Sequence, residues 1–190
     1  MDIEYIKNNY RFELLTSEHD LSSFHCDSDD LNEFLKEDAL IQQNYKFNIT
    51  KLICCDDEII GYFSLLTDKI RISKLSGDEC NKIKLKTRFK ELPAIKIGRL
   101  ALDKKYTNQG LGTIILESIM NIIYNFSLND VGVRYITIDG YVKAYHFYEN
   151  NGFSVLKKDK NLIGSINKIK KLNPERTIAL YFDIYRASRG

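Results

Sequence analysis

The sequence contains little proline, little glycine and no long uninterrupted apolar run. Its 190 residues include two Pro and ten Gly, which excludes collagen-like and proline-rich chains. No stretch reaches the roughly 18 consecutive apolar residues that span a bilayer. The N-terminus, MDIEYIKNNYRFELL, lacks the basic start and apolar core of a signal peptide. We therefore expect a cytoplasmic protein with no membrane segment.

Excess charge and paired cysteines are also missing. The 28 basic and 26 acidic residues give a net charge of +2, and 44% of the residues are hydrophobic. This composition argues against disorder and provides a core for one domain, expected to span residues 1–190. The cysteines have no C-x-x-C spacing, so we expect reduced thiols and no metal site; they are Cys26, Cys54, Cys55 and Cys80.

Apolar periodicity predicts an alternation of helices and strands. An Asp- and Ser-rich cluster at 27–30 is expected to cap a helix from about Asp29 to Gln43. The runs ITKLICC and IIGYFSLL predict a hairpin. Further along, a long amphipathic helix starting near Leu111, the strand RYITID, a short helix within VKAYHFYENNGF and the strand TIALYFDIY are expected. This order predicts an α/β fold with a mixed sheet and at least one parallel pair, AIKIGRLAL with RYITID.

The strand AIKIGRLAL contains a change of phase in its apolar alternation. Ile95 and Ile97 lie on one face, whereas Leu100 and Leu102 are one residue out of phase with them. Such a slip either moves the apolar set to the other face or is absorbed by a bulge, and glycine is a frequent bulge residue. We favour a bulge at Gly98-Arg99.

The segment NQGLG connects this strand to the long helix. Free backbone N–H groups and the positive end of the helix dipole lie together there, beside two glycines, which suits an anion such as phosphate. An ordinary tight turn is the alternative. The sequence has neither G-x-x-x-x-G-K-[ST] nor G-x-G-x-x-G, so nucleoside triphosphate and dinucleotide sites lose support.

From Phe24 to Phe153 the chain resembles the GNAT superfamily of acetyl-CoA-dependent N-acetyltransferases, through IKIGRLALDKKYTNQGLG followed by YITIDGYVKAYHFYENNGF. The resemblance implies a mostly antiparallel sheet with a splayed parallel pair, completed by a C-terminal strand at 177–185. It implies that acetyl-CoA is the cosubstrate, without a metal. The residues implied in binding it are Leu100, Ala101, Leu102, Thr107, Asn108, Gln109, Gly110, Leu111, Gly112 and Thr113.

The resemblance also implies a catalytic role for Tyr148, which matches the position of a tyrosine that protonates the leaving thiolate. A tyrosine packed in the core is the alternative. Two residues depart from the family turn: Thr107 stands where Gln or Arg is common, and Asn108 stands where an extra Gly is common. Val142 lies near a position at which many members of the family have Asn. Arg99 occupies a position where some relatives carry glutamate, and a guanidinium cannot take a proton. An acceptor of lowered pKa, such as an α-amine, therefore suits the chain better than a lysine.

The segment FHCDSDDLNEFLKEDA resembles a GNAT branch that includes tRNA-acetylating toxins. That resemblance implies the α-amine of aminoacyl-tRNA as acceptor, with tRNA and an antitoxin as partners. A small-molecule amine, a homodimer, and an acyl-CoA-binding module without turnover remain open. The segment IKLKTRFK, if extended, would align five cations on one face. This face would bind phosphates or simply be a solvated surface.

Overall fold

The structure, a computed structural model, describes residues 1–75 and 77–187. In this part of the chain seven strands form one sheet in the order β1-β2-β3-β4-β5-β7-β6. The β4 and β5 strands are parallel, and the sheet is otherwise mostly antiparallel. This confirms the predicted α/β fold with a mixed sheet. The strands are β1 Arg11–Leu14, β2 Ile49–Cys55, β3 Glu58–Arg71, β4 Glu91–Leu102, β5 Tyr135–Tyr141, β6 Ser154–Val155 and β7 Thr177–Asp183.

The predicted first helix is confirmed, with a π-helical turn in its middle, Phe34–Asp38. Asp29 and Asp30 lie in its first turn, where they complement the helix dipole. Ser28 is the N-cap residue, but its side chain makes no capping hydrogen bond to a described residue. The α-helices are α1 Ile3–Asn9, α2 Asp29–Glu33, α3 Ala39–Asn44, α4 Gly77–Lys84, α5 Leu111–Asn129, α6 Tyr145–Asn150, α7 Ile166–Leu172 and α8 Ile184–Ala187.

The predicted hairpin is formed by β2 and β3. Their register shifts between Ile53 and Cys54, and Asp56 in the connecting turn adopts φ +50°. A Cβ on Gly61 in β3 would lie 2.7 Å from the Ala101 carbonyl oxygen of β4. Glycine is therefore required at this position, because any larger residue would push the two strands apart.

The chain divides into two compact units, Met1–Leu66 with Ile97–Ser118, and Thr67–Lys96 with the chain from Ile119 onward. Each has its own apolar cluster. The cluster of the first unit includes Leu15, Phe24, Phe34, Leu35, Leu52 and Tyr62. The cluster of the second unit includes Ile70, Leu75, Ile83, Leu92, Tyr135 and Tyr181.

The condition under which IKLKTRFK would align five cations on one face, an extended backbone, is not met, because α4 runs up to Lys84. Asp78 and Glu79 lie in its first turn, and Lys82 and Lys84 lie in its last. This charge order complements the helix dipole, and burial of Ile83 holds the helix against the second unit's core.

The predicted C-terminal strand at 177–185 is too long by two residues. β7 ends at Asp183, and Ile184 begins the short helix α8. The Asp183 carboxylate accepts a hydrogen bond from the Arg186 backbone N–H at 3.3 Å. This local bond favours a helical turn over a continued strand.

The four cysteines are free, as predicted.

Helix α5 is long and apolar enough, by length and composition alone, to cross a membrane. From the sequence we expected no membrane segment, whereas this helix meets the test of length and composition. Glu117 and several Asn and Ser residues interrupt its apolar residues. A core helix passes the same test of length and composition. Part of α5 is buried in the protein, through Leu111, Ile115, Leu116, Ile119 and Ile123.

Candidate active site

The candidate cofactor-binding residues of the first unit lie around the end of β4, at the buried Asp103. Its carboxylate accepts hydrogen bonds from the backbone N–H groups of His25 and Lys105, both at 3.0 Å. Its own N–H donates to the carbonyl of Ile60 at 2.9 Å. These bonds tie the strand end to two other segments of the first unit. They fix the direction in which the chain enters the turn that follows.

The turn before α5 passes twice through the left-handed region of backbone space. Asn108 has φ +60° and Gly110 has φ +79°. Asparagine tolerates this region better than most residues, which explains how Asn108 can stand where relatives have glycine. Gly110 is exposed, and no described atom lies within 4 Å of where its Cβ would be. An anionic ligand can therefore approach the main chain at the start of α5, whose first N–H groups have no intrahelical partner.

The side chains of two residues in the predicted cofactor-binding set form hydrogen bonds within the turn itself. The Thr107 hydroxyl donates to the Lys104 carbonyl at 3.0 Å, and the Gln109 amide donates to the Lys105 carbonyl at 2.9 Å. Glu58 holds the same segment from β3, by accepting hydrogen bonds from Lys105 and from the Tyr106 hydroxyl at 2.9 and 2.8 Å. The bond from Lys105 lowers the pKa of Glu58. The turn is thus braced by side chains, while its main chain stays open.

The residues expected to bind the thioester, Leu100 to Leu102, lie at the C-terminal end of β4, directly before Asp103. Ala101 is buried, whereas Leu100 and Leu102 are half-buried. Gly98 is enclosed: a Cβ there would lie 2.8 Å from the Leu66 side chain and 3.1 Å from the Ser64 hydroxyl. Close packing against Leu66 and Ser64 is enough to explain why position 98 is a glycine. The bulge at Gly98-Arg99 therefore stays a prediction.

Arg99 cannot serve as a base in this environment. Its guanidinium carbon lies 4.9 Å from the centre of the Phe34 ring, and its Nη1 donates to the Gly98 carbonyl at 3.0 Å. Its Nε lies 3.9 Å from Asp30 and is buried with no hydrogen bond to any described residue. The side chain therefore carries a fixed positive charge, held on the ring of the first helix.

A separate candidate residue is Tyr148, on α6 in the second unit. The residue is 8% exposed, and its ring makes edge contacts with Phe147 and Phe153, with centroids 5.1 and 5.8 Å apart. No described residue forms a hydrogen bond with its hydroxyl. Burial alone raises the pKa of Tyr148 to about 12. Ordinary core tyrosines satisfy their hydroxyl, as Tyr62 does by donating to Leu31 at 2.7 Å.

Gly140, which was not identified from the sequence, determines where the Tyr148 ring lies. A Cβ on Gly140 of β5 would lie 2.7 and 2.9 Å from two carbons of the Tyr148 ring. The ring therefore rests directly on the strand backbone, where only glycine leaves room for it. A glycine inside a strand of mostly β-branched and aromatic residues was the available signal, because it often marks such a close approach.

Neighbours of Tyr148 have other partners. The His146 ring lies 3.2 Å from Glu149, which also accepts a hydrogen bond from the Tyr145 hydroxyl at 2.6 Å. Val142 is buried, and its N–H donates to the Arg176 carbonyl at 2.7 Å. Val142, which stands near the position of the family's Asn, is therefore a packing residue here.

Within 1–75 and 77–187, no group of three His, Cys, Asp or Glu side chains could hold a metal ion.

Comparisons with known proteins identify the family. Residues 11–153 match the model of the acetyltransferase (GNAT) family. A tRNA-acetylating toxin of Mycobacterium tuberculosis is 22% identical over 142 residues, which cover 74% of this chain and 81% of that protein. The structure of AtaT complexed with acetyl-methionyl-tRNAfMet is 25% identical with a TM-score of 0.75, covering 95% of this chain and 98% of the other.

A second solved structure is a tyrosine-to-phenylalanine mutant of the AtaT toxin, bound to the C-terminus of the antitoxin AtaR and acetyl-CoA. It is 24% identical with a TM-score of 0.66, covers 94% of this chain and 95% of its own, and shows a shared fold. The family match extends over most of the chain, and the strand, glycine turn and helix of the candidate site lie within it. The chain therefore belongs to the acetyltransferase (GNAT) family, and it is an acetyl-transferring enzyme.

Proposed function

We propose that the protein transfers an acetyl group from acetyl-CoA to the α-amine of an aminoacyl-tRNA, with Tyr148 as the proton donor to the leaving sulfur. The acceptor is supported by two relatives, the tRNA-acetylating toxin and AtaT with its acetylated tRNA. The fixed charge of Arg99 supports it as well. An α-amine with a pKa near 8 is partly deprotonated at neutral pH, so it needs no strong base.

The observation that carries the proposal is the Tyr148 hydroxyl, which has no hydrogen-bond partner among described residues although the residue is only 8% exposed. Burial raises the pKa of Tyr148 to about 12, so the hydroxyl remains protonated. A hydroxyl with no protein partner can bond a group that arrives with the substrate. A neutral phenol that has kept its proton can then act as a general acid.

Proton bookkeeping follows from the raised pKa. The amine attacks the carbonyl carbon, the carbon–sulfur bond breaks, and the sulfur takes the proton of the Tyr148 hydroxyl. The nitrogen, now acylated, gives up its own proton, which returns to the Tyr148 oxygen directly or through solvent. The net transfer is from nitrogen to sulfur. Tyr148 acts as a relay, so it need not ionise at rest.

The residues of the turn fit a pyrophosphate. Acetyl-CoA supplies the activated acetyl group, and we propose that the main chain from Gln109 to Thr113 holds its phosphates. Thr107, Asn108 and Gln109 keep that main chain in shape through the backbone conformations and hydrogen bonds described above. We propose that backbone N–H groups between Leu100 and Leu102 donate to the oxyanion.

Three wider expectations remain part of the proposal. We propose one catalytic domain over 1–190, of which residue 76 and residues 188–190 lie outside the described chain. We propose a cytoplasmic location, since charged tRNA is found there. The likeness to AtaT bound to part of its antitoxin supports an antitoxin partner for this chain. Co-purification with the product of a neighbouring reading frame would test that partner.

The test is release of free CoA from acetyl-CoA over a panel of acceptors. The panel holds aminoacyl-tRNAs, the same tRNAs deacylated, free amino acids and lysine peptides. We expect CoA release and N-acetyl-aminoacyl-tRNA, identified by mass spectrometry, with aminoacyl-tRNA alone. Release with a small amine instead would overturn the acceptor. Tight acetyl-CoA binding without release on any acceptor would identify a binding module.

A further inference from the structure

The segment Lys82–Lys90, here called the basic segment, carries a concentration of positive charge that no carboxylate balances. Its cations are all exposed, and none forms an ion pair within the described chain. They alternate with other residues along the end of α4 and the turn after it. The five cations are Lys82, Lys84, Lys86, Arg88 and Lys90.

Cations on the sheet of the same unit are paired. Lys69 and Arg71 both contact Glu91, at 2.8 and 3.0 Å. Arg134 contacts Asp183 at 2.9 Å. An exposed cation needs no partner, but five in one short segment repel each other unless an anion binds.

The apolar residues of the basic segment divide into one that is buried and two that are exposed. Ile83 packs in the core of the second unit, so the segment has a fixed anchor. Leu85 and Phe89 are 84% and 73% exposed, respectively. A large aromatic side chain exposed among cations is the composition of surfaces that stack bases and bind phosphates.

Concave surfaces lie on both sides of the basic segment. One, of about 960 Å³, is lined by Arg71, Lys84, Arg88, Phe89 and Lys90, together with neutral residues and Glu91. Glu91 is the one carboxylate in that described lining, and Lys69 and Arg71 already hold it; their hydrogen bonds lower its pKa.

The second concave surface, of about 460 Å³, has a similar charge. Lys82, Lys86, Arg134 and Arg186 are among its lining residues. Its carboxylate, Glu79, is buried and accepts hydrogen bonds from the hydroxyls of Tyr135 and Tyr181 at 3.2 and 2.6 Å. The Arg134 Nε is buried and has no hydrogen bond to any residue described. Both hollows therefore present net positive charge to a ligand.

We propose that the basic segment is an RNA-binding surface, with RNA phosphates in the two hollows that its cations line and one base stacked on Phe89. The inference rests on the proposed aminoacyl-tRNA acceptor and names the part of the chain that binds the RNA body. RNA fits better than an acidic peptide, because it combines regularly spaced charges with flat rings. Ile83 anchors the end of α4, where the segment begins.

The experiment measures binding of deacylated tRNA to the full chain by fluorescence anisotropy over a range of salt concentrations. The test variant combines Lys84→Gln, Lys86→Gln and Arg88→Gln. The control combines Lys168→Gln, Lys170→Gln and Lys171→Gln on α7, three exposed lysines in the same unit. We expect the test variant to lose at least about tenfold in affinity and about three in the slope of log K against log salt. The control should lose much less.

A second variant, Phe89→Leu, keeps an apolar side chain and removes the ring. It should weaken binding roughly tenfold with an unchanged salt slope, because stacking is lost but no phosphate contact is. For all variants, the affinity for acetyl-CoA measured by calorimetry should equal that of the wild type, which shows that the fold is intact.

Equal loss in the test and control variants would overturn the inference, since binding would then follow net charge. So would wild-type affinity in the test variant, or absence of tRNA binding by the wild type. These outcomes are separate from failure of the proposed function, because deacylated tRNA reports binding without any transfer. A wild type that acetylates aminoacyl-tRNA while the basic segment proves dispensable would leave the function in place and remove only this surface.

Discussion

The glycine turn of the first unit and Tyr148 of the second unit differ in the atoms for which we propose a function. The turn from Thr107 to Gly110 is largely exposed, and the groups that we propose bind a ligand belong to its main chain. Tyr148 is buried, and the group that we propose acts is one side-chain oxygen. On this proposal the turn can change side chains without losing its contacts, whereas Tyr148 depends on one hydroxyl and on the space around its ring.

This difference leads us to expect that the departures from the family turn have little effect on cofactor binding. Asn108 takes the left-handed conformation, and Gln109 bonds back to Lys105. Shape is preserved with different residues. Around Tyr148, in contrast, Gly140 leaves no room for even a methyl group. We therefore expect substitutions at the turn to act weakly unless they change charge or backbone conformation, and substitutions around Tyr148 to act strongly.

The largest effect is expected from Tyr148→Phe. Removing the hydroxyl while keeping the ring should lower kcat by roughly 10² to 10⁴, the range for one positioned acid. Acetyl-CoA affinity should change little, because the hydroxyl bonds to no described residue. Steady-state kinetics with the true acceptor and calorimetry with acetyl-CoA provide the two measurements.

The pH profile of the wild type is the control for this variant. Burial raises the pKa of Tyr148 to about 12, so the acid form persists from about pH 6 to about pH 10. Activity should rise as the acceptor amine loses its proton and then stay level. A falling limb near pH 9 that disappears in Tyr148→Phe would show that the hydroxyl ionises far below its expected range. Unchanged kcat in the variant would make Tyr148 a packing residue.

The next largest effect is expected from Gly140→Ala. The new methyl group would lie 2.7 Å from the Tyr148 ring, so the ring must move. A displacement of about 1 Å in a catalytic group can cost about 100-fold in rate, and overpacking costs about 1–3 kcal/mol in stability. The measurements are kcat and the free energy of unfolding.

Two controls separate displacement of Tyr148 from general damage. Gly132→Ala adds the same methyl group where no described atom lies within 4 Å, and should leave kcat unchanged. In a Tyr148→Phe background, Gly140→Ala should lower kcat little further, because the hydroxyl it displaces is already absent. Additive losses in the double variant would show that Gly140 acts by some other route.

A smaller effect, confined to cofactor affinity, is expected from Gly110→Asp. A carboxylate at the open turn should repel the phosphates and weaken acetyl-CoA binding by roughly 10- to 100-fold. Gly110→Asn is the matched control, since it has nearly the same shape, tolerates the left-handed backbone and carries no charge. Calorimetry should show a near-native Kd for the Asn variant. Equal Kd values for the two variants would mean that no anion binds at this turn.

The sequence predicted the parts of this protein that depend on local patterns. The first helix, the hairpin, the glycine turn and the left-handed Gly152 after α6 (φ +83°) follow from spacing and turn residues. Helix α4 was missed because the Lys-rich segment around it has little apolar periodicity and was interpreted as a connection, while burial of Ile83 in the core of the second unit stabilises the helix. Gly140 was missed for a similar reason, because its role depends on a ring eight residues away.

The smallest effect is expected from Gln109→Ala, although family resemblance places Gln109 among the cofactor-binding residues. Its exposed amide makes one hydrogen bond, to the Lys105 carbonyl at 2.9 Å, and an exposed bond of this kind contributes about 1 kcal/mol or less. Asp103, Thr107 and Glu58 still brace the turn when it is lost. The Kd for acetyl-CoA should therefore rise by less than about threefold, with kcat unchanged. Thr107→Val, which removes a second brace, should act similarly alone, and the double variant should show more than the product of the two single effects. A tenfold rise in Kd from Gln109→Ala alone would mean that its side chain contacts the cofactor directly. The turn would then rely on a side chain, as the proposed role of Tyr148 does.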